Sequence, residues 1–189
     1  LKSDPQEIPA PFVGPTSVRR GGGKPGYPRQ TNTMEIYGTT MTYNALRKGR
    51  VSIPGQIYLL TAVTWDRTPW CQDFRLGREV AGVLHGVAVA YPGLSLAWVV
   101  MPDHMHWLVQ LPDGVSLERL MQIFKGRSAR VLNVAGLRTG PVWQPGFHDR
   151  ALRKDEDLLA AARYLLANPL RRGLVQRVGD YPLWDAIWI

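Results

Sequence analysis

Two apolar runs separated by only two residues constrain the fold of this 189-residue chain more than any other feature of its sequence. Residues 94–101 and 104–111 are dominated by aliphatic and aromatic side chains, and Pro102 and Asp103 stand between them. Apolar runs of this length, bounded by proline and glycine, are typical of strands, and a short polar break between them favours an antiparallel turn. The sequence therefore predicts a β-hairpin in the middle of the chain.

Strand and helix signals alternate on both sides of this hairpin. Asp73, Ser116 and Asp155 each stand where a helix N-cap is expected. The predicted elements, in chain order, are a strand over residues 56–64, a helix from 73 to about 91, the hairpin, a helix from 116 to about 134, a strand or extended segment over 141–152 and a helix from 155 that ends at Asn168-Pro169. This order favours an α+β fold, most simply a ferredoxin-like antiparallel sheet backed by helices.

The first predicted helix contains an apolar stripe that begins at Phe74 and also three glycines, Gly77, Gly82 and Gly86. Each glycine costs a helix about 1 kcal/mol relative to alanine. Glycine also permits close packing, so we expect this helix to lie against the sheet.

The net charge of +8 is distributed unevenly along the chain. Residues 1–50 carry eight basic and three acidic residues, residues 51–111 carry three and four, and residues 112–180 carry twelve and seven. A basic excess favours a polyanionic partner such as nucleic acid, although a generally cationic protein has the same composition. The single cysteine excludes a disulfide framework and any multi-cysteine metal site. No apolar run approaches the roughly 18 residues of a membrane span, so we expect no membrane partner. A single cysteine fits a reducing compartment and the basic excess fits nucleic acid, so we expect a cytoplasmic, nucleoid-associated protein.

The first 40 residues differ in composition from the rest of the chain. Six prolines and a run of three glycines lie within residues 1–33 and oppose any regular element. We expect residues 1–40 to form a disordered N-terminal extension, with Met34 and Met41 as plausible alternative starts of the folded protein. No stretch resembles the apolar core of a secretory signal peptide.

His104 and His106 are the candidate metal ligands of the chain. They lie one residue apart in the second strand of the predicted hairpin, and residues i and i+2 of a strand share a face. Two imidazoles on one face can bind one divalent cation, while Met105 and Trp107 then point into the core. Two hydrogen-bonded structural histidines are the alternative interpretation.

The last predicted helix presents Tyr164 and, four residues later, Asn168 on one helical face. The amide oxygen of Asn168 suits a hard cation, and the phenol of Tyr164 can approach a phosphate bound to that cation. Ala160 and Ala161 leave the preceding turn sterically open. Taken alone, Tyr164 is more typical of a half-buried packing aromatic, and the histidine pair is what favours a functional interpretation.

Basic residues flank these positions in three clusters that we predict to contact DNA phosphates. The clusters are Lys125, Arg127 and Arg130 on the second helix, Arg150, Arg153 and Lys154 before the third helix, and Arg171 and Arg172 after it. Trp107, Trp143 and Phe147 either stack on unpaired bases or belong to the core.

Three stretches of the sequence carry a family resemblance. WVVMPDHMHWLVQL resembles the HUH motif, two histidines around an apolar residue, of single-tyrosine transposases and relaxases. YLLANPLRRGLV and VWQPGFHDRALR resemble the tyrosine helix and the preceding segment of the REP-associated tyrosine transposases. The resemblance extends over residues 45–189, which we expect to form an HUH nuclease domain.

The resemblance implies a metal-dependent endonuclease and strand transferase that acts on single-stranded DNA beside REP-like hairpins through a 5′-phosphotyrosine intermediate. His104, His106 and Asn168 would bind Mg²⁺ or Mn²⁺, Tyr164 would be the nucleophile, and His148 would be auxiliary, as a base or as a structural or DNA-contacting residue. The protein would act as a monomer or a homodimer.

Two alternatives remain from the sequence. The first is a catalytically silent protein that binds hairpin DNA, or a regulator, on the same scaffold. The second is an RNA-binding ferredoxin-like domain, which the nearly neutral residues 51–111 disfavour because such domains interleave aromatic and basic residues on their strands.

Overall fold

A five-stranded antiparallel sheet organises the part of the chain that the computed structural model describes, namely residues 33–36, 39–42, 51–136, 139–153 and 157–188. Strands β1 (Thr33–Ile36) and β2 (Thr39–Thr42) pair with each other as an antiparallel hairpin, and neither pairs with another strand of the described ranges. The large sheet has the order β6-β3-β5-β4-β7, and its strands are β3 (Ile57–Val63), β4 (Ser95–Val100), β5 (His104–Gln110), β6 (His148–Ala151) and β7 (Trp184–Ala186).

The described residues also form four α-helices. They are α1 (Phe74–Ala90), α2 (Leu117–Ala135), α3 (Leu158–Leu166) and the short α4 (Asn168–Arg171). The succession β3-α1-β4-β5-α2-β6 and the sheet order β6-β3-β5-β4 are those of a ferredoxin-like unit. The predicted α+β fold is therefore confirmed, and β7 extends the sheet beyond β4 as an edge strand that the sequence reasoning missed.

The predicted hairpin forms from β4 and β5, which pair antiparallel from Val100 and Met105 outward. Alternation along β5 divides its side chains between the two faces of the sheet. Met105 and Trp107 are completely buried, and the Trp107 ring lies 5.9 Å from the ring of Phe124 on α2. The face of Trp107 is therefore the core face, covered by α1 and α2, and His104 and His106 lie on the opposite face.

The helix ends follow local capping rules, with one correction and one addition to the prediction. The side chains of Asp73 and Ser116 accept hydrogen bonds from the backbone as predicted, whereas Asp157, not Asp155, caps α3. α3 ends just before Asn168-Pro169, as predicted, but a second short helix, α4, begins at Asn168 after the single residue Ala167. Proline is compatible with the first turn of a helix, where its missing N–H has no intrahelical partner.

Only one of the three glycines in α1 makes a close packing contact. A Cβ atom at Gly77 would overlap Cδ1 of Leu183, the residue before β7, whereas a Cβ atom at Gly82 or Gly86 would meet open space. The predicted role of glycine in close packing is therefore confirmed at Gly77. Phe74 was wrongly assigned to the buried stripe, since 48% of it is exposed.

The predicted extension over residues 1–40 falls largely outside the described residues. Within them, residues 33–36 and 39–40 belong to the β1–β2 hairpin. Residues 32–189 belong to one compact unit. No helix within the described ranges combines the length and apolar character that crossing a lipid bilayer requires.

Candidate active site

His104 and His106 lie side by side on the face of the sheet away from α1 and α2. Their ring centroids are 4.9 Å apart and their ring planes are nearly perpendicular. Only 8% of His104 and 3% of His106 is exposed, so the pair is embedded in the protein rather than displayed on its surface. His104 and His106 both lie within β5, so the prediction that their imidazoles share one face of a strand is confirmed.

His104 is held by a carboxylate that is itself held by a guanidinium. Nδ1 of His104 lies 2.6 Å from Oδ1 of Asp103, and Nη1 of Arg67 donates to Oδ2 of the same carboxylate at 3.0 Å. A carboxylate on one ring nitrogen fixes the tautomer and the orientation of a metal-binding histidine. Nε2 is therefore the nitrogen through which His104 would bind a cation.

The segment that carries Arg67 is fixed to the β4–β5 connection. Both the backbone N–H and the hydroxyl of Thr64 donate to the carbonyl of Asp103, each at 2.9 Å. Asp66 and Arg67 then adopt left-handed backbone conformations, with φ of 53° and 48°. Such conformations are costly for residues other than glycine, and here they place the Arg67 side chain against Asp103.

Electrostatics around Asp103 favour its ionised form. Partial burial opposes ionisation, but hydrogen bonds and charge interactions with His104 and Arg67 outweigh it and lower the pKa of Asp103 to about 2. The carboxylate is thus ionised at neutral pH and can support the adjacent imidazole.

His106 is oriented by a neutral partner. Its Nδ1 lies 2.8 Å from the hydroxyl of Thr61, the residue directly opposite on β3. Burial lowers the pKa of His106 well below its ordinary value, and the charges of His104, Arg171, Arg172 and His148 lower it further. The ring is therefore neutral at pH 7, which is the form that binds metals.

Tyr164 lies near the C-terminal end of α3, and Asn168 begins α4. Tyr164 is 54% exposed, whereas Asn168 is 7% exposed and its amide nitrogen donates to the carbonyl of Leu165 at 2.8 Å. The exposed phenol is accessible to a large substrate. The buried amide has a fixed orientation, as a ligand requires.

Arg171 joins these two residues. Its guanidinium donates to Oδ1 of Asn168 at 2.8 Å and to the carbonyl of Tyr164 at 2.6 Å, and it lies 3.8 Å from the centroid of the Tyr164 ring. Oδ1 of Asn168, the predicted third metal ligand, thus accepts a hydrogen bond from a cationic side chain. An amide oxygen has two lone pairs, and one of them remains after this hydrogen bond.

The predicted DNA-contacting residues fall into separate groups. Arg171, Arg172 and His148 lie close enough to His106 to act on its charge, so they belong with the histidine pair. Arg150 and Arg153 are exposed on β6 and directly after it. Lys154 lies outside the described residues. The DNA contacts of all these residues stay predictions.

The cluster on α2 does not join this group, because α2 covers the opposite face of the sheet. Arg127 and Arg130 are exposed there. The ammonium of Lys125 instead donates to the carbonyls of Gln144 and Gly146 at 2.5 and 2.6 Å, and burial lowers its pKa to about 8. Trp107, Trp143 and Phe147 are all buried, which favours the core over base stacking.

A cavity of about 520 Å³ lies between α3 and the sheet. Tyr164, Ala160, Ala161 and Asp157 line it from the helix side, and Leu59, Thr61, His148 and Arg150 line it from β3 and β6. The prediction that Ala160 and Ala161 leave this side of the helix open is therefore confirmed. Thr61 belongs both to this cavity and to the hydrogen bond that orients His106.

The donor set of the site combines nitrogen ligands, which suit borderline cations, with one oxygen ligand, which suits a hard cation. Two imidazoles and one amide oxygen are the candidate protein ligands, and among the described residues no group of three His, Cys, Asp or Glu side chains is placed to hold a metal. A cation here would need further oxygen ligands from water or from a phosphate.

Sequence reasoning missed Thr61, Asp103 and Arg67, which position the two histidines. The only signal for Asp103 was its place immediately before His104. Thr61 and Arg67 depend on strand register and on an unusual backbone conformation, which local patterns do not reveal.

Comparison with known proteins relates most of this domain to transposases. The sequence model of the family described as "Transposase IS200 like" matches residues 54–165, more than half of the chain. The match spans β3 to α3 and includes both histidines and Tyr164.

Two proteins from bacteria are similar in sequence. The REP-associated tyrosine transposase of Escherichia coli (strain K12) is 35% identical over 88 residues, which cover 46% of this chain. The chain thus spans about half the length of that relative, 50%. A protein of Haemophilus influenzae (strain ATCC 51907 / DSM 11121 / KW20 / Rd), proposed to be a REP-associated tyrosine transposase, is 29% identical over 139 residues, which cover 68% of this chain and 78% of the relative.

A solved structure has a similar fold. It is described as a REP-associated tyrosine transposase bound to a REP hairpin, and it superimposes with a TM-score of 0.60 at 26% identity. The match covers 71% of this chain and 79% of the other.

Proposed function

Because the chain belongs to the family of IS200-like transposases, we propose that it is a DNA-processing enzyme that cleaves and rejoins single-stranded DNA beside hairpins. One observation carries the proposal. An exposed tyrosine, a buried asparagine and two arginines occupy consecutive turns of α3 and α4, and the arginines lie close enough to His106, one of the two buried histidines, to act on its charge. A nucleophile, oxygen and nitrogen ligands for a cation, and binders for phosphate are thereby combined in one site.

We assign the DNA phosphate a position between the histidine pair and α3. Arg171 and Arg172 would bind its oxygens, because guanidinium groups match phosphate geometry and compensate its charge. His104, His106 and Asn168 would hold Mg²⁺ or Mn²⁺, which, when bound, polarises a scissile phosphate and offsets the charge that builds on its oxygens. Asp103 and Thr61 would keep the two imidazoles in the required orientation.

The reaction that follows is a phosphoryl transfer to tyrosine. The Tyr164 oxygen attacks phosphorus and loses its proton, the bond from phosphorus to the 3′ oxygen breaks, and that oxygen leaves as a 3′-hydroxyl group. The products are a 5′-phosphotyrosine link and a free 3′ end. Because the phosphotyrosine ester conserves the bond energy, attack by a 3′-hydroxyl reverses the step and rejoins DNA without an external energy source.

The partner is proposed to be hairpin DNA. The solved structure with a similar fold is described as bound to a REP hairpin. The net charge of +8 and the basic residues on β6 and α4 support a polyanionic partner for this chain as well.

The proposal is tested by selection for a covalent adduct. The protein is incubated with Mn²⁺ and a library of DNA hairpins whose single-stranded flanks are randomised, and denatured protein is then examined for attached DNA and for the modified residue by mass spectrometry. We expect an adduct at Tyr164 that is absent for Tyr164→Phe. Tyr91→Phe, a half-buried tyrosine at the end of α1, is the matched control and should form the adduct normally.

Hairpin binding without any adduct would instead favour the catalytically silent DNA-binding protein. An adduct on Tyr164→Phe would refute the assignment of the nucleophile.

A further inference from the structure

The cavity beside Tyr164 has no role in the phosphoryl transfer described above. Its volume of about 520 Å³ lies within the range of roughly 300–1,000 Å³ that is usual for small-molecule sites. Tyr164, which is exposed, is one of its lining residues, and DNA must approach this side chain if the tyrosine is the nucleophile.

The lining of the cavity combines apolar surfaces with polar groups. Leu59, Ala160 and Ala161 supply side chains without hydrogen-bonding groups, while Thr61, His148, Arg150 and Asp157 supply donors and acceptors. A nucleobase has the matching character, because its two faces are apolar and its edges carry donors and acceptors.

The position of the cavity relates it to the cleaved strand. Tyr164 lines it on the helix side, and Thr61, which lines it on the sheet side, is hydrogen bonded to His106. A nucleotide whose phosphate lay between Tyr164 and His106 would therefore have the cavity within reach of its own base or of an adjacent one.

We propose that this cavity binds one unpaired nucleobase next to the cleaved phosphate and thereby determines where the strand is cut. The inference rests on the proposed function. Bases that enzymes act on, or bind near, are often taken out of the stack into such pockets, at a cost that is small for single-stranded DNA.

The polar groups of the cavity favour guanine. An arginine can donate to both O6 and N7 of guanine, and a carboxylate can accept from an amino group of a base. Arg150 and Asp157 supply these two functions from opposite sides of the cavity, on β6 and before α3. Guanine carries both the acceptor pair and an amino group.

The experiment combines two changes, each made alone and both made together. One is a substitution that fills the cavity, and the other is the removal of one base from the DNA that flanks the hairpin. Ala160 is exposed on α3, so Ala160→Leu adds volume to the cavity while retaining a good helix former. Ala90→Leu, at the exposed end of α1, is the matched control. The probe is the hairpin that binds the native chain best in a selection from randomised flanks, together with derivatives that lack one flanking base at a time. Dissociation constants are measured by fluorescence anisotropy in excess chelator, so that no cleavage intervenes.

For the native chain and Ala90→Leu, we expect removal of one flanking base to weaken binding about tenfold or more, since a stacked base contributes roughly 1–3 kcal/mol. Ala160→Leu should bind the intact hairpin correspondingly weakly, and removal of that same base should have no further effect. Arg150→Gln should bind the hairpin with guanine at that position more weakly than the native chain does, and it should lose the preference for guanine there.

The proposal would be overturned if removal of any flanking base reduced the affinity for the hairpin equally. It would also be overturned if, in Ala160→Leu, removing the base reduced the affinity as much as it does in the native chain. Because binding is measured without cleavage, the result can be interpreted even if no adduct ever forms on Tyr164. Conversely, a negative result in this experiment leaves adduct formation unaffected.

Discussion

Asp103→Asn tests whether the carboxylate between Arg67 and His104 stabilises the site as its geometry indicates. The pKa of Asp103 is about 2, against an ordinary value of 3.8. Since one pKa unit corresponds to about 1.4 kcal/mol, the ionised group contributes roughly 2 kcal/mol to folding. Its side chain is 25% exposed, and that of Arg67 is 42% exposed, so solvent screening reduces the expected effect to about 1–2 kcal/mol.

The pH dependence of this contribution has a definite sign. A carboxylate whose pKa is lower in the folded protein stabilises it fully above the pKa of the unfolded chain, about 3.8, and loses this effect as the pH falls through about 2. The free energy of unfolding of Asp103→Asn should therefore lie below that of the native chain at pH 7 and converge with it between pH 4 and pH 2. Urea denaturation at a series of pH values measures both.

Asp113→Asn, in an exposed turn, is the matched control and should change stability by less than about 0.5 kcal/mol. Asp103→Asn should also weaken Mn²⁺ binding about 10- to 100-fold, because partners of metal-binding histidines have effects of this size. An unchanged free energy of unfolding at pH 7, or a difference between native and variant that is the same at pH 7 and pH 2, would refute the reasoning.

Three further changes address the cation, the arginine on Asn168 and the packing of α1. His106→Ala should abolish Mn²⁺ binding in calorimetry, and excess chelator should abolish adduct formation by the native chain; activity that persists in chelator would exclude the metal role. Arg171→Gln removes a cation from Oδ1 of Asn168, so Mn²⁺ should bind several-fold more tightly without DNA while hairpin binding weakens; equal Mn²⁺ affinities would contradict this. Gly77→Ala should cost about 1–3 kcal/mol by overlap with Leu183, and a melting temperature at or above that of the native chain would show that Leu183 moves aside.

The features of the fold that the sequence predicts are those that depend on residues only a few positions apart in the chain. The alternation of His104, Met105, His106 and Trp107 determines which side chains face the core, whatever surrounds the strand. The caps at Asp73 and Ser116 were predicted because each acts on the N–H groups of the next three residues.

The errors arise where several local choices are nearly equal or where distant contacts decide. Aspartate is a favoured N-cap at either position 155 or position 157, so the local sequence does not distinguish them, and the cap of α3 is Asp157. β7 is only three residues long and exists because it pairs with β4, almost 90 residues earlier. The partnership of Thr61 and His106 likewise depends on the register between β3 and β5, which no single segment contains.

The left-handed backbone at Asp66 and Arg67 has a consequence for how this protein can change. Each such residue costs of order 1–3 kcal/mol, so the loop is less favourable than another sequence in the same place would be. Glycine at position 66 would relieve that cost, yet it would also loosen the segment that aims Arg67 at Asp103. Selection for thermal stability alone would therefore favour substitutions that disorder the histidine site. A descendant that had lost the site in this way is expected to be more stable than the present protein.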